Sequence, residues 1–143
     1  MNTGPWEHAD RRPSAALDVV AGLVPGASAA RVARAAVREA AARGGRVRFL
    51  QVLSPGGSRE DIDSGEASTF AAALRALREV AGLPVSFEVA VGEPGPVLVQ
   101  RSHGAGLLVI GADDPDTLHR LEGFCLANAH CEVVTAQAGE PVA

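Results

Sequence analysis

The first sustained pattern in the chain is an apolar run, Leu17 to Val24, interrupted only by Asp18. A continuous run of this length predicts a strand buried on both faces, as in a parallel sheet. Residues 1–16 are polar, carry two prolines and show no periodicity. They are assigned to a flexible N-terminal tail, in which Trp6 does no more than pack locally. After Pro25-Gly26 the period lengthens. Val32, Ala33, Ala36, Val37, Ala40 and Ala41 fall on one helical face, and Arg31, Arg34 and Arg38 lie along another. Ser28 is placed to cap this helix through its hydroxyl, and Gly44-Gly45 to end it. The arginine stripe is read as a solvated face rather than an anion-binding one.

Val47 to Leu53 is the second strand. The twelve residues that follow, SPGGSREDIDSG (54–65), contain three glycines; a loop of this length is expected to be mobile and to gate a cleft beside the first two strands. Phe70, Leu74, Leu77 and Ala81 predict a helix over 67–81, stopped by Gly82 and Pro84. Val85, Phe87, Val89 and Val91 then alternate with Ser86, Glu88 and Ala90. Strict alternation marks a strand with one less buried face, as at a sheet edge. GEPGP leads into a short helix with Pro94 or Pro96 in its first turn, closed by Gly104. Leu107 to Ile110 is strand four, a helix follows near 115–129, and Glu132 to Ala136 is a short last strand.

Right-handed crossovers turn this β-α alternation into a doubly wound parallel sheet of five strands. The domain spans 17–137, with 138–143 as a C-terminal tail. A chain of 143 residues suits one such domain and buries about two thirds of its unfolded surface.

Composition adds exclusions. The net charge is −4 and all thirteen basic residues are arginine, which argues against non-specific nucleic-acid binding. The N-terminus lacks a signal-peptide apolar stretch, and no run approaches the ~20 apolar residues of a membrane span. Two cysteines, Cys125 and Cys131, are too few for a disulfide framework. The expectation is a cytoplasmic protein with no membrane and no nucleic-acid partner.

Four segments, "VVAGLVPGAS", "RVRFLQVL", "VGEPGPVLVQRSHGAGLLVIG" and "AHCEVV", occur in an order and spacing that resembles the universal stress protein family over about residues 17–136. The resemblance implies a Rossmann-like sheet of order 3-2-1-4-5, with any ligand over strands one and four, the topological switch point. Members that bind ATP carry Gly-x2-Gly-x9-Gly-Ser/Thr after strand four and an Asp at the end of strand one. Here Gly111 holds the first glycine position, Asp114 stands at the second, and Gly123-Phe124 comes one residue early and without a hydroxyl. The strand-one Asp position falls on Val24. Gly22, Val24, Val52, Gly111, Asp114, Gly123 and Phe124 are thus the candidate nucleotide-binding positions.

Glycines let backbone N–H groups approach a phosphate without Cβ interference. Asp114 brings both a Cβ and a negative charge, and Asp113 and Asp116 flank it. A phosphate–carboxylate contact at ~4 Å costs about 1 kcal/mol in water and several more in a partly dry pocket. Asp114-Pro115-Asp116 also reads as a helix start, with Asp114 as cap and Pro115 in the first helical position. The loop is therefore expected to refuse phosphate. No cofactor is expected, and ATP or AMP in a rearranged loop is the alternative.

The aspartates lack the glycine and terminal glutamate of an EF-hand loop, and His119, Cys125, His130 and Cys131 lack metal-ligand spacing, so no metal is expected. Both cysteines are read as small buried apolar residues. Ser102-His103 has no orienting acid near it in sequence, and no catalytic constellation emerges. The function expected is a non-catalytic stress-protein-like regulatory or interaction module with an unidentified protein partner. Val133, Val134 and Thr135, strong β-formers on a strand without Lys or Pro, are expected to form a homodimer edge.

Overall fold

A computed structural model describes residues 15–24, 28–53, 55–56, 59–112 and 121–136, and the backbone alone for 15 and 59–67. The strands are β1 (Val19–Leu23), β2 (Val47–Leu53), β3 (Val85–Val91), β4 (Leu107–Gly111) and β5 (Glu132–Ala136). The helices are α1 (Ala29–Arg43), α2 (Arg59–Leu77), α3 (Pro94–Arg101) and α4 (Leu121–Asn128). All four strand pairings are parallel, in the order β3-β2-β1-β4-β5. The doubly wound α/β sheet of the sequence reading is the observed fold. No helix among the described residues is long and apolar enough to cross a membrane.

Strand parity sorts the core into two layers. Val19, Ala21, Val47, Phe49, Leu107 and Val109 face α1 and α2. Val20, Leu50, Val52, Leu108 and Ile110 face the other side, under Leu98 of α3 and Cys125 of α4. Cys125 is fully buried, as expected of it, whereas Cys131 is only half-buried. At the amino ends of the strands Asp18, 1% exposed, accepts a 2.8 Å hydrogen bond from Arg46 Nη2. Its carbonyl takes the N–H groups of Gly106 and Leu107.

The structure corrects the local reading in several places. β1 is shorter than 17–24, because Ala15–Leu17 form a 3-10 turn. Ser28 makes no side-chain cap: its φ of −78° and ψ of −14° are helical rather than extended, and its carbonyl already accepts the Val32 N–H. Ala41 is exposed rather than on the buried face. Gly44 does end α1, in the left-handed conformation at φ 67° that favours glycine.

The larger correction concerns 54–65. Helix α2 starts at Arg59, so residues 59–65 of the segment expected to be a mobile loop are helical instead. Residues 59–66 are rich in charged residues and hold one large apolar residue, Ile62, so no apolar stripe marks the helix there. The buried face of α2 also differs. Thr69, Ala72, Ala73 and Ala76 are buried, whereas Phe70 and Leu74 are 49% and 44% exposed. Alanines of both helices share one buried cluster, Ala33, Ala36 and Ala40 of α1 with Ala72, Ala73 and Ala76 of α2; Phe70 and Leu74 turn outward, whereas Leu77 packs against that cluster. The helix expected near 115–129 is described only as Leu121–Asn128, and its expected cap at Asp114 lies outside the described residues.

Candidate functional site

The strand order reverses between β1 and β4, and an open α/β sheet places its ligands above the carboxyl ends of the strands at such a point. Here β1 ends in buried Leu23 and half-buried Val24, and β4 ends in half-buried Gly111 and Ala112. Helix α1 opens beside them at Ser28–Ala29, and α3 at Glu93–Pro94.

Gly111 lies directly beneath the start of α1. A Cβ on it would sit 2.7 Å from Ser28 Oγ and 2.8 Å from Ser28 Cβ. The missing side chain is what allows α1 to seat on β4, and the space above Gly111 is filled by Ser28. That is a packing use of a glycine.

The other candidate positions separate into groups. Gly22 is buried under α3, where a Cβ would come 2.9 Å from Leu98 Cδ1. Val52 is buried in the same cluster, so both are packing positions below the crevice. Val24 stands at the crevice edge without a carboxylate to offer. Asp114 lies outside the described residues with the rest of 113–120. Gly123 is exposed in the first turn of α4 with open space around it. The ring of Phe124 rests on Gly95, where a Cβ would meet Phe124 Cδ1 at 2.8 Å. The structure thus brings Val24 and Gly111 to one crevice and puts Phe124 at a separate contact between α3 and α4.

That contact walls an open cleft of about 680 Å³ between α3 and α4, which no sequence pattern indicated. Across it the His103 and His130 rings meet edge-on, with centroids 4.9 Å apart. Each histidine adjoins a residue of a second pair, Ser102 and Cys131. Burial pushes the Cys131 thiol up from its ordinary range, opposed by a hydrogen bond with Ser102. A thiol held protonated is a poor nucleophile. The buried Ser102 hydroxyl donates to the Val99 carbonyl at 3.3 Å. Among the described residues no three His, Cys, Asp or Glu side chains gather as metal ligands.

A doubly wound parallel sheet of order 3-2-1-4-5, with its crevice between β1 and β4, defines the class. Within it the chain belongs to the universal stress protein family, whose model matches residues 19–142. Solved structures agree on the fold. The universal stress protein UspA from Lactobacillus plantarum superposes with a TM-score of 0.65 at 19% identity, covering 87% of this chain and 98% of its own. The universal stress protein from Archaeoglobus fulgidus, solved in complex with dAMP, gives a TM-score of 0.65 at 26% identity over 87% of this chain and 96% of its own. A family protein from Arabidopsis thaliana with AMP bound gives 0.60 at 19% identity, over 85% and 92%. No curated protein sequence matches the chain.

Proposed function

We infer that the chain is a cytoplasmic, non-catalytic universal stress protein module that works through a protein partner rather than through ATP held in the family's usual phosphate loop. The observation that carries this reading is the seat of Ser28 over Gly111. There the glycine at the end of β4 serves to seat the start of α1. Val24 in place of an aspartate at the end of β1, Asp114 in place of a glycine, and Phe124 in place of a hydroxyl residue support it from the sequence side.

A second reading, adenine-nucleotide binding through a rearranged loop, is favoured by the dAMP- and AMP-bound structures of the Archaeoglobus and Arabidopsis proteins. Isothermal titration of the full chain with ATP and with AMP, at physiological magnesium, separates the two. The first reading expects no heat of binding at micromolar nucleotide. Saturable micromolar binding of either nucleotide overturns it in favour of the second.

A further inference from the structure

Two turns at the far end of the sheet each present a histidine, and the two rings meet. Helix α3 runs from the end of β3 to the start of β4, and α4 ends just before β5. His103 after α3 and His130 after α4 therefore lie at the amino ends of the strands, opposite to the crevice between β1 and β4. Both are exposed, and both line the cleft between α3 and α4. Their ring centroids are 4.9 Å apart and their planes are inclined at 71°.

The backbone beneath the rings is fixed on both sides. Ser102 N–H donates to the Leu98 carbonyl at 3.0 Å, Ala105 N–H to the Ser102 carbonyl at 2.9 Å, and Ala129 N–H to the Cys125 carbonyl at 2.9 Å. Ser102 is buried, and its hydrogen bond with Cys131 ties the neighbour of one histidine to the neighbour of the other. Two imidazoles are thus brought together on turns that are already cross-linked, so little order is lost if a third group joins them.

We propose that His103 and His130 form a two-imidazole site for a divalent transition-metal ion, of the zinc, copper and nickel class, open on the side of the α3–α4 cleft. An imidazole nitrogen binds zinc at about 2.0–2.1 Å, which sets the ion about 3.2 Å from the ring centroid. Two centroids 4.9 Å apart then subtend about 100° at a shared ion, close to the tetrahedral angle of such sites. Inclined ring planes intersect, as they must for two in-plane lone pairs to reach one point. Exposed imidazoles turn readily about χ2 to bring a nitrogen to it. Imidazole donors select this class of ion over magnesium or calcium, which want oxygen. Among the described residues no third His, Cys, Asp or Glu joins the pair, so water fills the remaining positions and the ion exchanges. Gln100 and Asn128 line the same cleft and can offer amide oxygens to that water; the Asn128 Nδ2 is already spent on the Phe124 carbonyl at 2.9 Å. The ion would link the end of α3 to the turn before β5, independently of anything bound at the crevice.

The test is isothermal titration of the full chain with Zn²⁺ and with Ni²⁺ in a buffer that does not chelate them. One ion per chain is expected, with a micromolar dissociation constant. His103→Ala and His130→Ala, each checked for a retained fold by circular dichroism, are expected to weaken binding about tenfold or more. The double variant His8→Ala/His119→Ala removes the other two histidines of the chain and should leave binding unchanged. Zn²⁺ at ten times its dissociation constant should also raise the thermal midpoint of the wild type by about 4 °C, and that of His103→Ala much less. No saturable binding below about 1 mM, a range too weak for a built site, overturns the proposal. So does binding that survives His103→Ala and His130→Ala but is lost with His8→Ala/His119→Ala, and so does one ion per two chains, which makes the ion a bridge between copies.

Discussion

β3 and β5 close the two sides of one parallel sheet, yet their outer edges are guarded differently. β5 has five residues. Ala112 N–H donates to the Ala136 carbonyl, so its even residues bond to β4 and only Val133 and Thr135 present backbone groups outward. Its side chains are half-buried from Val133 to Thr135, with Val134 and Ala136 packed in the cluster under α1. β3 has seven residues. Gly92 N–H donates to the Leu53 carbonyl, so its even residues bond to β2, and Val85, Phe87, Val89 and Val91 turn their backbone groups outward beside a bare apolar face. The difference begins in the helices. The alanine contact holds α2 close to α1 and over β2, leaving β3 to be reached chiefly by the ring of Phe70. β5 is the shorter edge, and among the described residues no helix packs extensively on β3.

Proline at matched places breaks this comparison most sharply. Val134 is an even residue of β5, so Val134→Pro deletes a ladder hydrogen bond to β4 and disturbs packing under α1. A loss of about 3 kcal/mol is expected in urea unfolding. Val89→Pro deletes only an outward donor and should cost less than about 1 kcal/mol. Equal losses would mean that β3 is already engaged on its outer side in the folded chain.

The apolar face of β3 is graded from core to surface, and truncation should follow the gradient. Phe87 touches buried Phe49, with ring centroids 5.9 Å apart, as well as Phe70. Phe87→Ala is expected to cost about 2 kcal/mol, below the value for a fully buried ring. Val91→Ser, at a position 65% exposed, should stay within about 0.5 kcal/mol. A comparable loss at Val91, read by the same unfolding curves, would show that the end of the strand is covered.

Much of this architecture was legible in the sequence because buried strands write continuous apolar runs and edge strands alternate. Those signals placed all five strands to within about two residues, and the family resemblance supplied their order. What stayed hidden was which of two apolar sets a helix buries. On α2 both the alanines and the Phe70–Leu74 stripe carry helical spacing, and periodicity favours the larger side chains. Close packing of two alanine faces reverses that preference. The first two turns of α2 were missed because charged residues leave no stripe. At the site, the departures at Val24, Asp114 and Phe124 were readable from spacing alone. The seat of Ser28 on Gly111 and the meeting of His103 with His130 join residues more than 20 positions apart, and no local pattern encodes them.

The ion pairs that tie each edge strand to its neighbours sharpen the comparison through pH and salt, and the exposed pair on β5 carries the smallest effect of all. On β3, Glu88 accepts from Arg48 Nε at 2.9 Å and Arg48 Nη2 at 3.2 Å, and from Arg101 at 3.2 Å. The hydrogen bond from Arg48 is the chief reason that the Glu88 carboxyl is held below its ordinary range, with the Arg48 charge, Ser86 and Arg101 adding to it against burial. The folded state therefore binds this proton less readily than the unfolded chain. The contribution of Glu88 to stability is complete above the ordinary carboxylate range and is lost as pH falls through the depressed folded value. Glu88→Gln should cost about 1 kcal/mol at neutral pH, allowing for solvent, and the gap between wild type and variant should close on acidification below the ordinary range. On β5, Glu132 meets Arg43 at 3.2 Å with its side chain 61% exposed. Glu132→Gln should cost no more than a few tenths of a kcal/mol, an effect that about 1 M salt removes. Unfolding curves across pH and ionic strength check both. A Glu88→Gln gap that is constant from neutral to acid pH would mean that the Arg48 contact does not favour the charged form, and that the far face of the β3 edge is held by packing alone.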